Sequence, residues 1–205
     1  MSYGASFFKK SGDFKPLRKS IAKKHGKKKA EQIFNYAAAE LDLIMSEFSD
    51  IPKGERNHTN NYIFPRVAVY RSLEKELGDN EAIRLIDEMI HIQGQKMGNT
   101  LRKFTALPFM EKLFLKIFTS MAKNMFGESN GFKQKFYSTQ KGIVKFDILD
   151  CTYCRYCRLC NCPEIIHTFC NSDAYCFGNL SKINFTRQET LEYGEKCDFT
   201  LTITK

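Results

Sequence analysis

The 205-residue chain carries a formal net charge of +9 and is rich in aromatic residues, with 18 Phe and 9 Tyr but no Trp. That length supports one domain with a substantial core, or at most a helical part fused to a small sheet. Residues 1–29 hold ten Lys/Arg against Asp13 alone, and the remaining 176 residues balance 22 bases with 22 acids, so the charge marks an arm and not a basic body. No nucleic-acid motif accompanies it, and the arm is expected to be a solvated leader and helix face, not an interface for nucleic acid or anionic membrane.

In chain order, Phe7 and Phe8 are followed at once by Lys9 and Lys10, which leaves no apolar signal-peptide core. Ile33, Ala37, Leu41, Ile44 and Phe48 recur at helical spacing and predict a helix over residues 30–49, closed by Pro52 and Gly54. The polar run Lys53 to Asn61, with His58, is expected to be a loop. Phe64, Val67, Ala68, Arg71, Leu73 and Leu77 predict the next helix, with Gly78 just past its end. Asp79 or Asn80 starts a third that buries Ile83, Ile86, Ile90, Met97, Leu101 and Phe104, with a kink or break expected at Gly94 and Gly98. Pro108 begins a fourth, with Phe109, Leu113, Ile117, Met121 and Phe126 facing inward and Gly127 at its end. Glu111, Lys112, Lys116 and Lys123 break this most apolar stretch, so it is no membrane span. Lacking export and membrane signals, the chain is expected in the cytoplasm with reduced thiols.

The period changes after Gly131. Ile143 to Asp150 alternates as a half-buried strand with Val144, Phe146 and Ile148 on one face, and it is expected to pair with Phe132–Ser138. Phe199, Leu201 and Ile203 alternate with Thr200, Thr202 and Thr204 in a last strand, with Lys182–Arg187 as its partner. Helices first and antiparallel strands second predict an α+β fold: helices over 30–127 packed on a C-terminal antiparallel sheet over 132–205, joined by a cysteine-rich connection, after a basic arm at 1–29.

All eight cysteines fall in the last 55 residues. In Cys151-x-x-Cys154-x-x-Cys157-x-x-Cys160-x-Cys162-Pro163, two Cys-x-x-Cys pairs can wrap one tetrahedral zinc, so Cys154, Cys157, Cys160 and Cys162 are candidate metal ligands. An iron–sulfur cluster fits less well, because the ferredoxin spacing counted from Cys151 calls for a fourth cysteine at Asn161. The plainer reading is a helix or loop with thiols spaced by three along one stripe. His25, His58 and His91 read as structural.

The pattern Cys151, then Cys170-x-x-Asp173, then Phe185-x-Arg187-x-x-Thr190-Leu191-x-x-Gly194-x-x-Cys197-Asp198-Phe199 resembles the L-2-amino-thiazoline-4-carboxylic acid hydrolase family. The C-terminal phrasing is similar, more distantly, to the 4-vinyl reductase type of small-molecule-binding domain. The first resemblance implies hydrolytic opening of a cyclic isothiourea, on the route to N-carbamoyl-cysteine and cysteine. Such chemistry needs a nucleophile at the carbon between nitrogen and sulfur, and an acid for the leaving group. Cys170 is the first nucleophile candidate: on a helix, Asp173 and His167 share its face. Cys151, Cys197 and Asp198 follow as catalytic candidates. Strand alternation places Cys197 and Asp198 on opposite faces, so only one of them faces a site directly. Arg187 is the candidate anchor for a substrate carboxylate, against the plainer reading of a surface arginine.

The expected partner is therefore a small-molecule substrate, with a homo-oligomer if the fourth helix exposes its apolar stripe. The alternative is a non-catalytic, metal- or redox-responsive protein that binds a small molecule through the cysteine cluster.

Overall fold

The computed structural model describes residues 2–204, and they divide into two compact units: residues up to Gln93 with Tyr156–Thr168, and Gly94–Arg155 with Phe169 onward. The architecture is α+β as expected, with helices first and an antiparallel sheet at the C-terminal end.

The first unit contains α1 (Tyr3–Lys10), α2 (Lys15–His25), α3 (Lys27–Glu47), the short α4 (Arg56–His58), a π-helical turn (Thr59–Ile63), α5 (Phe64–Leu77) and the first part of α6 (Asp79–Ala106). Residues 3–25 are not the solvated leader that their charge suggests. Phe8, Phe14, Leu17 and Ile21 are buried while the lysines stay at the surface, so α1 and α2 are amphipathic helices laid on α3. Phe8, Phe14 and Phe34 meet edge to face with centroids 5.2–6.4 Å apart, and the Arg18 guanidinium lies 4.1 Å from the Phe34 ring centroid.

The run 53–61 also departs from expectation. It is mostly helical, and His58 and Thr59 are buried, because Glu55 turns inward and its carboxylate accepts the Tyr156 hydroxyl at 2.7 Å. A buried polar residue with a buried partner looks the same in sequence as a polar loop residue. Gly78, at φ +84°, ends α5 where expected.

The second unit holds the remainder of α6, α7 (Met110–Met125), β1 (Lys133–Phe136), β2 (Ile143–Asp150), the start of α8 (Thr152–Leu159), most of α9 (Ile166–Phe177), β3 (Ile183–Thr186) and β4 (Cys197–Ile203). The strands form one antiparallel sheet in the order β1-β2-β4-β3. Phe146 pairs with Phe136 on one side and Phe199 on the other, and the three rings stack at 4.7 and 4.8 Å. Cys197, Phe199 and Leu201 share the buried face of β4, as the alternation predicts.

Two expectations about the helices are corrected. Gly94 and Gly98 do not break α6; a Cβ at Gly94 would collide with Tyr175 Cβ, and one at Gly98 would sit 2.7 Å from the Tyr175 carbonyl oxygen. The glycines let α6 approach α9 closely. α7 starts at Met110, after Phe109 in the left-handed region at φ 65°, and not at Pro108. It is also turned about its axis from the expected orientation: Phe114, Leu115, Phe118 and Ala122 are buried on the sheet, while Phe109, Leu113, Ile117 and Met121 are exposed. Both rows are apolar at spacing i, i+4, i+8, so periodicity alone does not choose between them. Met97 of α6 is likewise exposed, and Ala82, Leu85 and Met89 join Ile86 and Ile90 inside. No helix among the described residues is long and apolar enough to cross a membrane.

A candidate thiol active site

Three distant segments of the second unit bring cysteines together. Cys151 follows β2, Cys170 lies on α9, and Cys197 opens β4. Cys197 is buried; Cys151 and Cys170 are half-buried. The Cys170 and Cys197 thiols lie near enough for each to shift the other's proton affinity, and Cys151 lies close enough to both to be felt electrostatically.

The opposite shifts of these two thiols reverse the order of candidates expected from the sequence. The Cys197 sulfur, followed by burial, pushes the Cys170 thiol well above its ordinary range. Cys197 moves down. The neighbouring Cys170 thiol is the largest cause, and the Leu191 backbone N–H, 3.2 Å from Cys197 Sγ, and the Arg187 guanidinium assist. Burial and Asp173 oppose the shift. Cys151 is also pushed up, first by its contact with the Cys154 thiol and then by burial. Of these three, Cys197 is the sulfur that the surroundings favour as thiolate.

Asp173, one turn beyond Cys170 on α9, accepts from Arg187 Nη1 at 2.9 Å. Arg187 Nη2 donates to the Cys170 carbonyl oxygen at 2.9 Å, and the guanidinium lies 5.6 Å from the Phe199 ring centroid. Both ends of the fork are thus engaged within the protein, and the side chain is only 10% exposed. The expected two-point grip on a substrate carboxylate would have to displace one of these partners. Burial raises the Asp173 carboxyl to about 6 even though Arg187 pulls it down.

Asp198 points to the opposite face of β4, as alternation requires, and accepts the backbone N–H groups of Gln188 at 2.9 Å and Glu189 at 2.7 Å. His167 pairs with Asp87 at 3.2 Å within the first unit.

The proposed metal ligands fall in both units. Cys154 belongs to the second unit, and Cys157, Cys160 and Cys162 to the first, each buried. Among the described residues no three Cys, His, Asp or Glu side chains are grouped as metal ligands, so the donor set fits neither the zinc nor the iron–sulfur expectation. In the first unit Arg71 instead holds this segment, donating to the Cys160 carbonyl oxygen at 2.6 Å. Burial raises the Cys160 thiol to about 12 and the Cys162 thiol in the same direction.

The Leu191 N–H was not found by sequence reasoning, because a backbone donor has no side-chain signature; its only trace is the phrase Thr190-Leu191-x-x-Gly194. Glu189 was missed as well. Its carboxylate accepts the Glu195 N–H at 2.6 Å across the turn that carries Leu191.

A family model for L-2-amino-thiazoline-4-carboxylic acid hydrolase matches residues 56–201, and the chain belongs to that family. No curated protein and no solved structure matches it.

Proposed function

We propose that this member of the L-2-amino-thiazoline-4-carboxylic acid hydrolase family is a thiol hydrolase that opens a small cyclic isothiourea such as L-2-amino-thiazoline-4-carboxylate, with Cys197 as nucleophile and Cys170 as proton donor. The observation that carries the assignment is the Leu191 N–H, which donates to the Cys197 sulfur at 3.2 Å, supported by the Cys170 thiol and the Arg187 guanidinium acting on the same sulfur.

The Cys197 thiolate adds to the ring carbon that lies between sulfur and nitrogen. The bond from that carbon to the ring sulfur then breaks, and the departing sulfur takes the Cys170 proton. The substrate is now held to Cys197 as an open isothiourea with a free thiol. Water adds to the same carbon and the Cys197 thiolate leaves. One proton of the water goes to the imino nitrogen and the other restores the Cys170 thiol. The product is an N-carbamoyl-cysteine, one water heavier than the ring. Arg187 supports the anionic sulfur, and Asp173 keeps Arg187 in place.

Turnover of L-2-amino-thiazoline-4-carboxylate by purified, reduced protein tests the reading. Cys197→Ser should be inactive while folded, and Cys170→Ser should be slower by roughly 10²–10⁴-fold, the usual contribution of a positioned acid. An active Cys197→Ser protein would remove Cys197 from the mechanism.

A further inference from the structure

We propose that Asp198 and Glu189 are positioning residues, which lace the 188–196 turn so that the Leu191 N–H is held against the Cys197 sulfur. The inference rests on the assignment of Cys197 as nucleophile and adds what keeps its backbone donor in place.

The turn joins β3 to β4; Leu191 packs against the core beneath the sheet, and polar contacts lace the rest. Asp198 Oδ1 accepts two consecutive backbone donors, Gln188 N–H at 2.9 Å and Glu189 N–H at 2.7 Å. The Asp198 N–H returns to the Glu189 carbonyl oxygen at 3.4 Å. The Glu189 carboxylate then reaches across the turn to the Glu195 N–H at 2.6 Å, lying against Gly194, where any Cβ would collide with it. Between these two clamps, Tyr193 N–H and Gly194 N–H fold back on the Thr190 carbonyl oxygen at 3.2 and 2.8 Å. Leu191 sits inside this lacing, two residues after the backbone group that Asp198 grips. Its N–H can reach Cys197 Sγ at 3.2 Å only while the turn keeps this shape.

Asp198 is directed away from the thiols and cannot touch a substrate bound to them, so its effect passes through the Leu191 N–H. What matters on this reading is the acceptor oxygen and not the charge. Asp198→Asn keeps an acceptor; Asp198→Ala does not.

The test follows the alkylation of Cys197 by iodoacetamide against pH in the full chain, read on the C-terminal tryptic peptide that holds Cys197 as its sole cysteine. The groups that bear on Cys197 are Cys170 and Asp173 from α9, Arg187 after β3 and Cys151 before α8, and all are left intact. Loss of one N–H donor to a thiolate should raise the alkylation midpoint by on the order of one pH unit, a roughly tenfold smaller thiolate fraction at neutral pH. Asp198→Ala is expected to show that rise, and Asp198→Asn to stay within a few tenths of a unit of the native protein. Glu189→Ala, which frees the Glu195 end of the turn, should shift in the same direction and serves in place of Asp198→Ala if that protein does not fold.

A merely structural role would lower the melting temperature without moving the midpoint, and that result would overturn the proposal. Equal shifts in Asp198→Ala and Asp198→Asn would overturn it too, because the acceptor would then be irrelevant. A native midpoint in the ordinary cysteine range has a different meaning: it would remove the assignment of Cys197 on which the proposal stands.

Discussion

Replacing Arg187 by Gln should destabilise the protein by an amount that grows with pH, and the structure sets where the growth begins. Arg187 donates to Asp173 and to the Cys170 carbonyl oxygen at 2.9 Å each, with 10% of its side chain exposed and 29% of that of Asp173. In the native protein burial lifts Asp173 to about 6 against the pull of Arg187, from an unfolded value of 3.8. A carboxyl raised on folding makes native stability fall as pH climbs through that window. Without the guanidinium only burial remains, and the folded Asp173 pKa moves higher still.

At pH 5 the carboxyl is mostly protonated in both proteins, so the variant loses chiefly the hydrogen bond to the Cys170 carbonyl, about 1–3 kcal/mol for a charged donor. Above pH 6 the native Asp173 ionises beside its cation, whereas the variant must either hold its proton or bury a lone charge. Each pH unit then costs the variant about 1.4 kcal/mol more than the native protein, or about 2.7 kcal/mol between pH 6 and pH 8 if its own pKa exceeds 8. The assay is urea denaturation of both proteins at matched ionic strength from pH 5 to pH 8. A stability difference that is flat with pH would refute the reasoning, because it would mean that the Asp173 charge does not sense Arg187.

Phe118→Ala should cost about 3–5 kcal/mol, since Phe118 lies inside against Phe114 and Phe177; Ile117→Ala, one residue away on the exposed row of α7, should stay within about 0.5 kcal/mol. Chemical denaturation of the pair checks the orientation of the helix, and the reverse order would restore the expected one. Gly98→Ala sets a Cβ 2.7 Å from the Tyr175 carbonyl oxygen and 3.1 Å from that of Cys176, and should lower stability by about 1–3 kcal/mol through overpacking; a neutral effect in a thermal melt would show that α6 and α9 are not held close there.

The elements legible in the sequence were those where one signal dominated. Gly78 closes α5, and alternation in β2 and β4 gives the face on which Phe146, Phe199 and Cys197 are buried. The orientation of α7 was not legible, because two apolar rows compete on one helix and only the sheet decides between them. The basic arm misled because lysines crowd the outer faces of helices whose inner faces need only Phe8, Phe14, Leu17 and Ile21. Within the candidate site, the grouping of Cys151, Cys170 and Cys197 could be anticipated from the family pattern. The preference for Cys197 over Cys170 as the thiolate could not, since it depends on the Leu191 N–H and Arg187 arriving from the far side of a turn.

The central claim is that Cys197 attacks the ring, and trapping the intermediate tests it most directly. Reduced protein is mixed with L-2-amino-thiazoline-4-carboxylate, quenched in acid within one turnover, digested with trypsin and examined by mass spectrometry. Cleavage after Lys196 leaves Cys197 alone in its peptide, apart from those that carry Cys151 and Cys170. The mechanism predicts substrate mass added to the Cys197 peptide and lost again on longer incubation. Adduct on the peptide of Cys170 or Cys151, with the Cys197 peptide unmodified, would contradict it.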